Sequence, residues 1–244
     1  MTPANIWVID LETAPSLGWV WQKWQTDVID FKSDGYILSF AAKKLGAKES
    51  IIKGLCDYPN FKKDKEDDSA LVKDLWKIMD EADILIAHNG DSFDMTTANM
   101  RFLFHGLKPP TPYKTVDTKK VAKQKFRFTS NKLDELGRYF GLGRKRPTTG
   151  FVLWKGCMSG DMKSWRMMKK YNLQDIKLLE KLYYLFLPYI TNHPNVNKGE
   201  FACPKCGSQK VQKRGFSFTL ARKKQRFQCQ SEQCGGWFEG PAGK

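Results

Sequence analysis

Apolar and polar positions recur along this chain with two different periods. Residues 5–11, NIWVIDL, form a short β-branched apolar run that predicts a buried strand. GYILSFAAKKL and SIIKGL predict two more strands, with a hairpin turn at KLGAKES, so that three consecutive strands pair antiparallel. A Trp-rich insertion, APSLGWVWQKWQTD, separates the first from the second. After the polar connection FKKDKEDDS, helical spacing begins in ALVKDLWKIMDEA, with Asp68 or Ser69 placed to cap it. ADILIAHN is again strand-like, FDMTTANMRFLFHGL helical, and TVDTKKVAKQKF a strand running into a helix capped by Asp117 or Thr118. A further helix in SNKLDELGRYFGLG and a basic loop, RKRPTTG, precede a long amphipathic helix from Asp161 to Ile190. Three strands followed by alternating helices and strands predict an α/β domain with a mixed sheet flanked by helices.

The character changes around HPNVNKGE. From Phe201 onward the segments are short, with paired cysteines, glycines and basic residues, which predicts domains at 1–195 and 196–244. At 244 residues the chain can hold one sizeable domain and a small one. Its 41 Lys and Arg against 26 Asp and Glu give a formal charge of +15, which favours a polyanionic partner such as nucleic acid. The last 49 residues are the more basic part, with ten Lys and Arg against three Asp and Glu. No stretch approaches the ~18–20 apolar residues of a membrane span. MTPANIWVIDLET has no signal-peptide pattern, so the expected location is the cytoplasm, that of the host if the gene is a phage's. Cys56 and Cys157 stand alone and read as small apolar residues.

Four carboxylates in three separated motifs carry the candidate chemistry. Asp10 and Glu12, in VIDLET, are two apart on a strand and share one face while Leu11 points to the other. Carboxylates placed side by side repel each other unless a cation lies between them. Taken alone, such a pair is equally a solvated strand end. Asp94, closing AHNGDSFD, starts a helix, where capping is the competing role. Tyr171 and Asp175, in YNLQD, are four apart on a helix and share a face.

Taken together, VIDLET (8–13), AHNGDSFD (87–94) and YNLQD (171–175) resemble the three motifs of the DEDD superfamily of 3′→5′ exonucleases, which have a ribonuclease H-like fold. The third motif has the tyrosine form, Y-x-x-x-D (DEDDy), and the resemblance covers roughly residues 5–190. It is nearest to tyrosine-type members found in phage and bacterial genomes, with a proofreading-like domain. The resemblance implies hydrolysis with two Mg²⁺ or Mn²⁺ ions, releasing nucleoside 5′-monophosphates. Asp10 would bridge both ions, Glu12 and Asp175 would complete the water-activating site, Asp94 would help hold the second ion, and Tyr171 would aim the water. Asn89, Phe93 and Asn131 are candidates for contact with the terminal nucleotide, whereas His88 reads as structural.

Near the C-terminus Cys203-x-x-Cys206 forms a C-P-x-C-G knuckle, and Cys229 and Cys234 form a second, wider pair. Strand-like KVQKRGFSFTL and KKQRFQC lie between the pairs, and the whole resembles a zinc ribbon holding one Zn²⁺ on four thiolates. Lys213, Arg214, Arg222, Lys223, Lys224 and Arg226 interleave with Phe216, Phe218 and Phe227, a pattern suited to phosphate contact and base stacking. A docking face for a polymerase or helicase is the other reading. Trp19, Trp21 and Trp24 are either a stacking platform beside the first motif or packed core, and Arg144–Arg146 is a candidate grip on the substrate strand. The expectation is an exodeoxyribonuclease acting on single-stranded 3′ ends. The alternatives are an exoribonuclease and a non-catalytic nucleic-acid-binding or polymerase-recruiting protein on a nuclease fold.

Overall fold

The computed structural model describes residues 4–24, 27–196 and 201–240. Part of the expected domain boundary, 197–200, and the first three residues lie outside these ranges. The central element is a five-stranded mixed sheet in the order β5-β4-β1-β6-β7. Its strands are β1 (Ile6–Thr13), β4 (Ile37–Lys44), β5 (Ile51–Gly54), β6 (Ile84–Ala87) and β7 (Lys114–Asp117). β1, β4 and β5 pair antiparallel as their apolar runs predict, while β6 and β7 add in parallel on the other side of β1.

Parallel pairing requires crossovers, which α1 (Ser69–Glu81) supplies before β6 and α2 (Asp94–Phe104) between β6 and β7, while α3 (Thr118–Lys125) and α4 (Leu133–Tyr139) follow the last strand of the sheet. One core layer joins Ile9, Leu11 and Phe40 to Leu75, Met79 and Phe102. The opposite layer joins Val8, Ala41 and Ile86 to Ile176, Leu179 and Leu182 of the long helix α6 (Met162–Phe186). Each fully buried Ile or Leu contributes about 1.5–3 kcal/mol. The buried stripe of α6 recurs every three to four residues, as helical geometry requires, and two of its positions are polar: Asn172 and Asp175.

The fold adds elements that the hydrophobic pattern does not announce. The Trp-rich insertion forms a hairpin of β2 (Leu17–Trp19) and β3 (Asp30–Ser33) that, among the described residues, pairs only with itself. Its tryptophans are exposed, Trp21 at 86%, rather than packed into the core. α5 (Phe151–Ser159) buries only Leu153 and Cys157 and so carries little amphipathic signal. Asp68 sits at the N-cap of α1 but makes no capping hydrogen bond. Its carboxylate is fully buried and accepts instead from Arg101 at 2.8 and 2.6 Å and from the amide of Ile37 at 2.9 Å. Asp117, by contrast, caps α3 through the amides of Lys119 and Lys120 as expected.

The last described segment is a three-stranded sheet, β10-β9-β8, of β8 (Val211–Phe218), β9 (Lys223–Cys229) and β10 (Trp237–Glu239). It packs onto the end of α6, since Cys203, Cys229 and Cys234 share a buried cluster with Tyr183, Leu187 and Ile190. Lys205 is buried there and donates to the carbonyls of Leu187 (3.2 Å) and Pro188 (2.7 Å), satisfying groups that a helix end leaves open.

Candidate active site and cysteine centre

The site forms where the middle strand meets the long helix. Asp10 and Glu12 stand on the same face of β1 as Val8, the face that α6 covers. The third and fourth turns of α6 bring Tyr171, Asn172 and Asp175 over them. Carboxylate oxygens of Asp10, Glu12 and Asp175 lie within 4.8 Å of one another. Asn172 Nδ2 donates to Asp10 Oδ2 at 2.6 Å, and Ser39 Oγ lies 3.2 Å from Asn172 Oδ1. A fully buried amide thus fixes the rotamer of the first aspartate.

Asp94 reaches the site by a sharp turn after β6. Asn89 is the only non-glycine described with positive φ (75°), a conformation asparagine tolerates better than most residues. At Gly90 a Cβ would fall 2.3 Å from the Cβ of Ala87, so only glycine fits. The turn delivers Asp94 to the first position of α2. Its Oδ1 does not cap that helix but accepts from the amide of Leu11 at 2.9 Å. Asp94 is therefore locked to β1 between Asp10 and Glu12 in sequence, although it stands outside the tight group of three.

Burial raises the proton affinity of all four acids. Glu12 is pushed up to about 8 by desolvation, with the charges of Asp175 and Asp94 adding to it and that of Lys145 opposing. Asp94 is pushed up to about 7 by desolvation, against the lowering effect of the Leu11 amide. Asp10 and Asp175 are raised too, again chiefly by burial. Such a cluster stores repulsion that a cation relieves.

Lys145 supplies one such charge. Its Nζ lies 2.5 Å from Asp175 Oδ2 and 3.1 Å from Tyr171 Oη. Burial works against the ammonium, but Asp175 and Asp10 outweigh it and hold its pKa above the usual range. The basic loop is anchored for this purpose: the Lys145 amide donates to Asp134 (2.7 Å) and Gln174 Nε2 to the Arg144 carbonyl (3.2 Å). Arg144 and Arg146 remain exposed on the same loop. A lysine flanked by two arginines gives no sequence signal of which one turns inward. The sequence signal for Asn172 is equally faint, a single polar side chain on the apolar stripe of α6.

The donors fit a hard divalent cation. They are all carboxylate oxygens, and Asp175 Oδ1 is buried without a hydrogen-bond partner. An orphaned anionic oxygen in such a place is costly unless an ion fills the gap.

The remaining expected residues are distributed around this centre. His88 is held between Thr118 Oγ1 (2.9 Å) and the Asn131 carbonyl (2.9 Å). Burial pushes its pKa down to about 4, so it is a neutral structural histidine. Phe93, next to Asp94, is 40% exposed and is not core. Asn89 donates its amide to Asp117 at 2.9 Å, and the Oδ1 of Asn131 is buried without a partner.

The four cysteines Cys203, Cys206, Cys229 and Cys234 form a second compact group. Cys203 and Cys234 sulfurs are 3.8 Å apart and Cys206 and Cys229 sulfurs 3.6 Å, too far for disulfides. Tetrahedral thiolates ~2.3 Å from one ion would stand about 3.8 Å apart. Cys203 is held down to about 5 by hydrogen bonding from Cys234 and from nearby backbone amides. On the ribbon, Lys213, Arg214, Arg222, Lys223 and Arg226 are exposed. Lys223 Nζ lies 4.1 Å over Phe216, which is exposed with Phe218, and Arg226 lies 4.9 Å over Trp237. Phe227 departs from expectation, because it is buried and stacks on Phe238 at 5.4 Å inside the ribbon.

Comparison with known proteins gives the same architecture. A search of curated sequences returned no match. Among solved structures, the family B DNA polymerase of the hyperthermophilic archaeon Pyrobaculum calidifontis superposes with a TM-score of 0.53 at 13% identity. The match covers 77% of this chain but only 25% of the polymerase, and it speaks to the fold alone. The RNase_H superfamily family model matches residues 45–187, more than half of the sequence. The chain therefore belongs to the RNase_H superfamily.

Proposed function

We propose that this protein is a metal-dependent 3′→5′ exonuclease of the tyrosine (DEDDy) type, releasing nucleoside 5′-monophosphates from single-stranded DNA 3′ ends. The observation that carries the reading is the convergence of Asp10, Glu12 and Asp175, with Tyr171 one turn before Asp175 on the same helix face. Two Mg²⁺ or Mn²⁺ ions held by Asp10, Glu12, Asp94 and Asp175 would supply Lewis acidity and stabilise charge on the attacking and leaving oxygens. Asn172 fixes the Asp10 carboxylate, and the Leu11 amide fixes Asp94. Tyr171 presents its hydroxyl beside Asp175, where it orients a water by hydrogen bonding. Lys145 offsets negative charge at the site. Asn89, Phe93 and Asn131 are assigned to the terminal nucleotide, Phe93 by stacking.

The nuclease is assigned to residues 1–195. Residues 196–244 are assigned as a ribbon with one Zn²⁺ on Cys203, Cys206, Cys229 and Cys234, whose exposed cations and aromatics contact nucleic acid. A time course on 3′- and 5′-labelled single-stranded DNA, duplex DNA and RNA, with Mn²⁺ and then with chelator, tests the reading. Stepwise loss of the 3′ label as mononucleotide from single-stranded DNA, abolished by chelator, is expected. Release from the 5′ end, or activity that survives chelation, would contradict it.

A further inference from the structure

A groove of 780 Å³ is walled by three elements that no step of the proposed reaction uses. One wall is the start of the Trp hairpin at Pro15–Leu17, another is the 62–66 loop, and the third is α5, through Phe151, Lys155 and Met158. The cations Lys62, Lys63, Lys65 and Lys155 line it together with the exposed aromatic ring of Phe151.

Two connections tie this groove to the candidate active site. Pro15 lies three residues beyond Glu12, within about 10 Å along the backbone, and the Ala14 amide donates to the carbonyl of Tyr36, which lines the groove, at 2.9 Å. On the other wall, Trp154 of α5 meets Tyr171 edge-on, with centroids 6.1 Å apart. α5 thus places one aromatic on the catalytic tyrosine while Phe151, three residues earlier, faces the groove.

The chemistry of the lining selects a ligand. None of the four lysines forms an ion pair with a carboxylate among the described residues. Lys65 instead donates to the carbonyl of Ser159 at 2.5 Å, and Lys155 Nζ lies 5.5 Å over Phe151. The two carboxylates of the groove, Asp64 and Glu66, also line a neighbouring cavity with Asp34 and Asp67, whose basic residues Arg101 and His105 are already engaged by the buried Asp68. Phosphates are repelled from that acidic side and drawn to the lysine side. Unpaired cations along a groove with an exposed aromatic and apolar surface are what a flexible single strand needs, one set for phosphates and the other for unstacked bases. A regular duplex offers no base faces to Phe151.

We propose that this groove is a binding site for single-stranded nucleic acid, holding the segment upstream of the 3′-terminal nucleotide and leading it toward the exposed tryptophans of the β2–β3 hairpin. The proposal rests on the nuclease reading only for the polarity of that strand. Electrostatic grip comes from Lys62, Lys63 and Lys155, with stacking on Phe151. The strand runs from the carboxylates across α5.

Fluorescence anisotropy of the full chain with a labelled single-stranded oligothymidylate, in buffer without Mg²⁺ or Mn²⁺ so that nothing is hydrolysed, tests the groove. The triple variant Lys62→Gln/Lys63→Gln/Lys155→Gln should raise Kd at least tenfold at low salt. It should also make the logarithmic salt dependence shallower by about 2, since each lost single-strand phosphate contact accounts for about 0.7. Phe151→Ala should weaken binding about fivefold or more. The charge-matched control Lys48→Gln/Lys73→Gln/Lys108→Gln removes exposed lysines outside the groove and should change little. Equal losses in the two triple variants would overturn the proposal, as would tighter binding of a duplex of the same length. Hydrolysis by the wild-type protein is scored separately. Groove-dependent binding without hydrolysis leaves the site standing and removes the nuclease assignment, whereas hydrolysis with groove-independent binding does the reverse.

Discussion

The ammonium of Lys145 sits 2.5 Å from Asp175 Oδ2, inside the group of carboxylates it neutralises. The same oxygens are the ones a divalent cation would use. One positive charge delivered by a loop is therefore a partial substitute for ions in the metal-free state, and the two compete for the same ligand.

Lys145→Met should expose that competition. Losing one partner of a largely buried ion pair costs about 1–3 kcal/mol in the metal-free protein, less than the full buried-pair penalty because the carboxylates can take up protons. Metal-free Tm should fall. The rise of Tm with added Mn²⁺ should become steeper, and calorimetry should give tighter Mn²⁺ binding than in the wild type. Weaker Mn²⁺ binding by a folded variant would show that Lys145 assists ion binding instead.

The pH dependence follows from the raised carboxyl groups. Glu12 at about 8 and Asp94 at about 7 hold protons in the folded chain that the unfolded chain has already released, their usual values being 4.5 and 3.8. Their stabilising contribution is complete below about pH 4 and is lost as pH rises through 7 to 8. His88 gives the opposite slope. With a folded value of about 4 against 6.5, it destabilises the fold as pH falls from 6.5 toward 4. The diagnostic window is therefore pH 7.5–8.5, where His88 is largely neutral in both states. Because Cys203, held down to about 5 against 9.0, adds an opposite slope here, the comparison is with Glu12→Gln: urea denaturation should show the metal-free stability of the wild type falling relative to the variant across the window, with saturating Mg²⁺ flattening or reversing that difference because ion binding displaces the protons.

Cys206→Ser should cost more than the ribbon. Cys203, Cys229 and Cys234 share buried contacts with Leu187 and Ile190 at the end of α6, so loss of the thiolate cluster loosens the helix that carries Tyr171 and Asp175. Metal analysis should fall from about one bound zinc per chain to near zero. Hydrogen exchange should increase at the C-terminal end of α6 as well as in the ribbon. Removing residues 196–244 would for the same reason uncover core, and is a poorer test of the ribbon's binding role than point changes at Arg222 or Lys223.

Arg101→Met should destabilise strongly. Asp68 is fully buried, and Arg101 holds it with two hydrogen bonds while His105 Nε2 lies 2.6 Å away. Removing the arginine leaves a buried carboxylate short of partners, a loss of about 3–5 kcal/mol. A shift in the urea midpoint at unchanged slope would measure it.

The sequence carried the frame of this fold because period and apolarity are local. β1, β4 and β5 follow from runs such as IWVIDL, and the buried stripe of α6 follows from its spacing. What it did not carry depends on contacts far apart along the chain. Lys145 turns inward only because Asp134 and Gln174 hold its loop. Asp68 looks like a helix cap until Arg101 arrives from the next helix. Phe227 reads as a stacking ring beside basic residues until Phe238, on a third strand, covers it. α5 has too narrow a buried stripe for its period to be seen.

The decisive comparison for a carboxylate-held metal site is wild-type protein against Asp10→Asn and Asp175→Asn. Each substitution keeps size and removes one anionic oxygen donor. Circular dichroism checks the fold, Mn²⁺ titration counts bound ions, and release of nucleoside 5′-monophosphate from a 3′-labelled single strand follows hydrolysis. Native spectra, weakened Mn²⁺ binding and hydrolysis reduced at least a thousandfold, on the order of 4 kcal/mol of barrier, are expected. Correctly folded variants that bind Mn²⁺ and degrade the strand at the wild-type rate would contradict such a site.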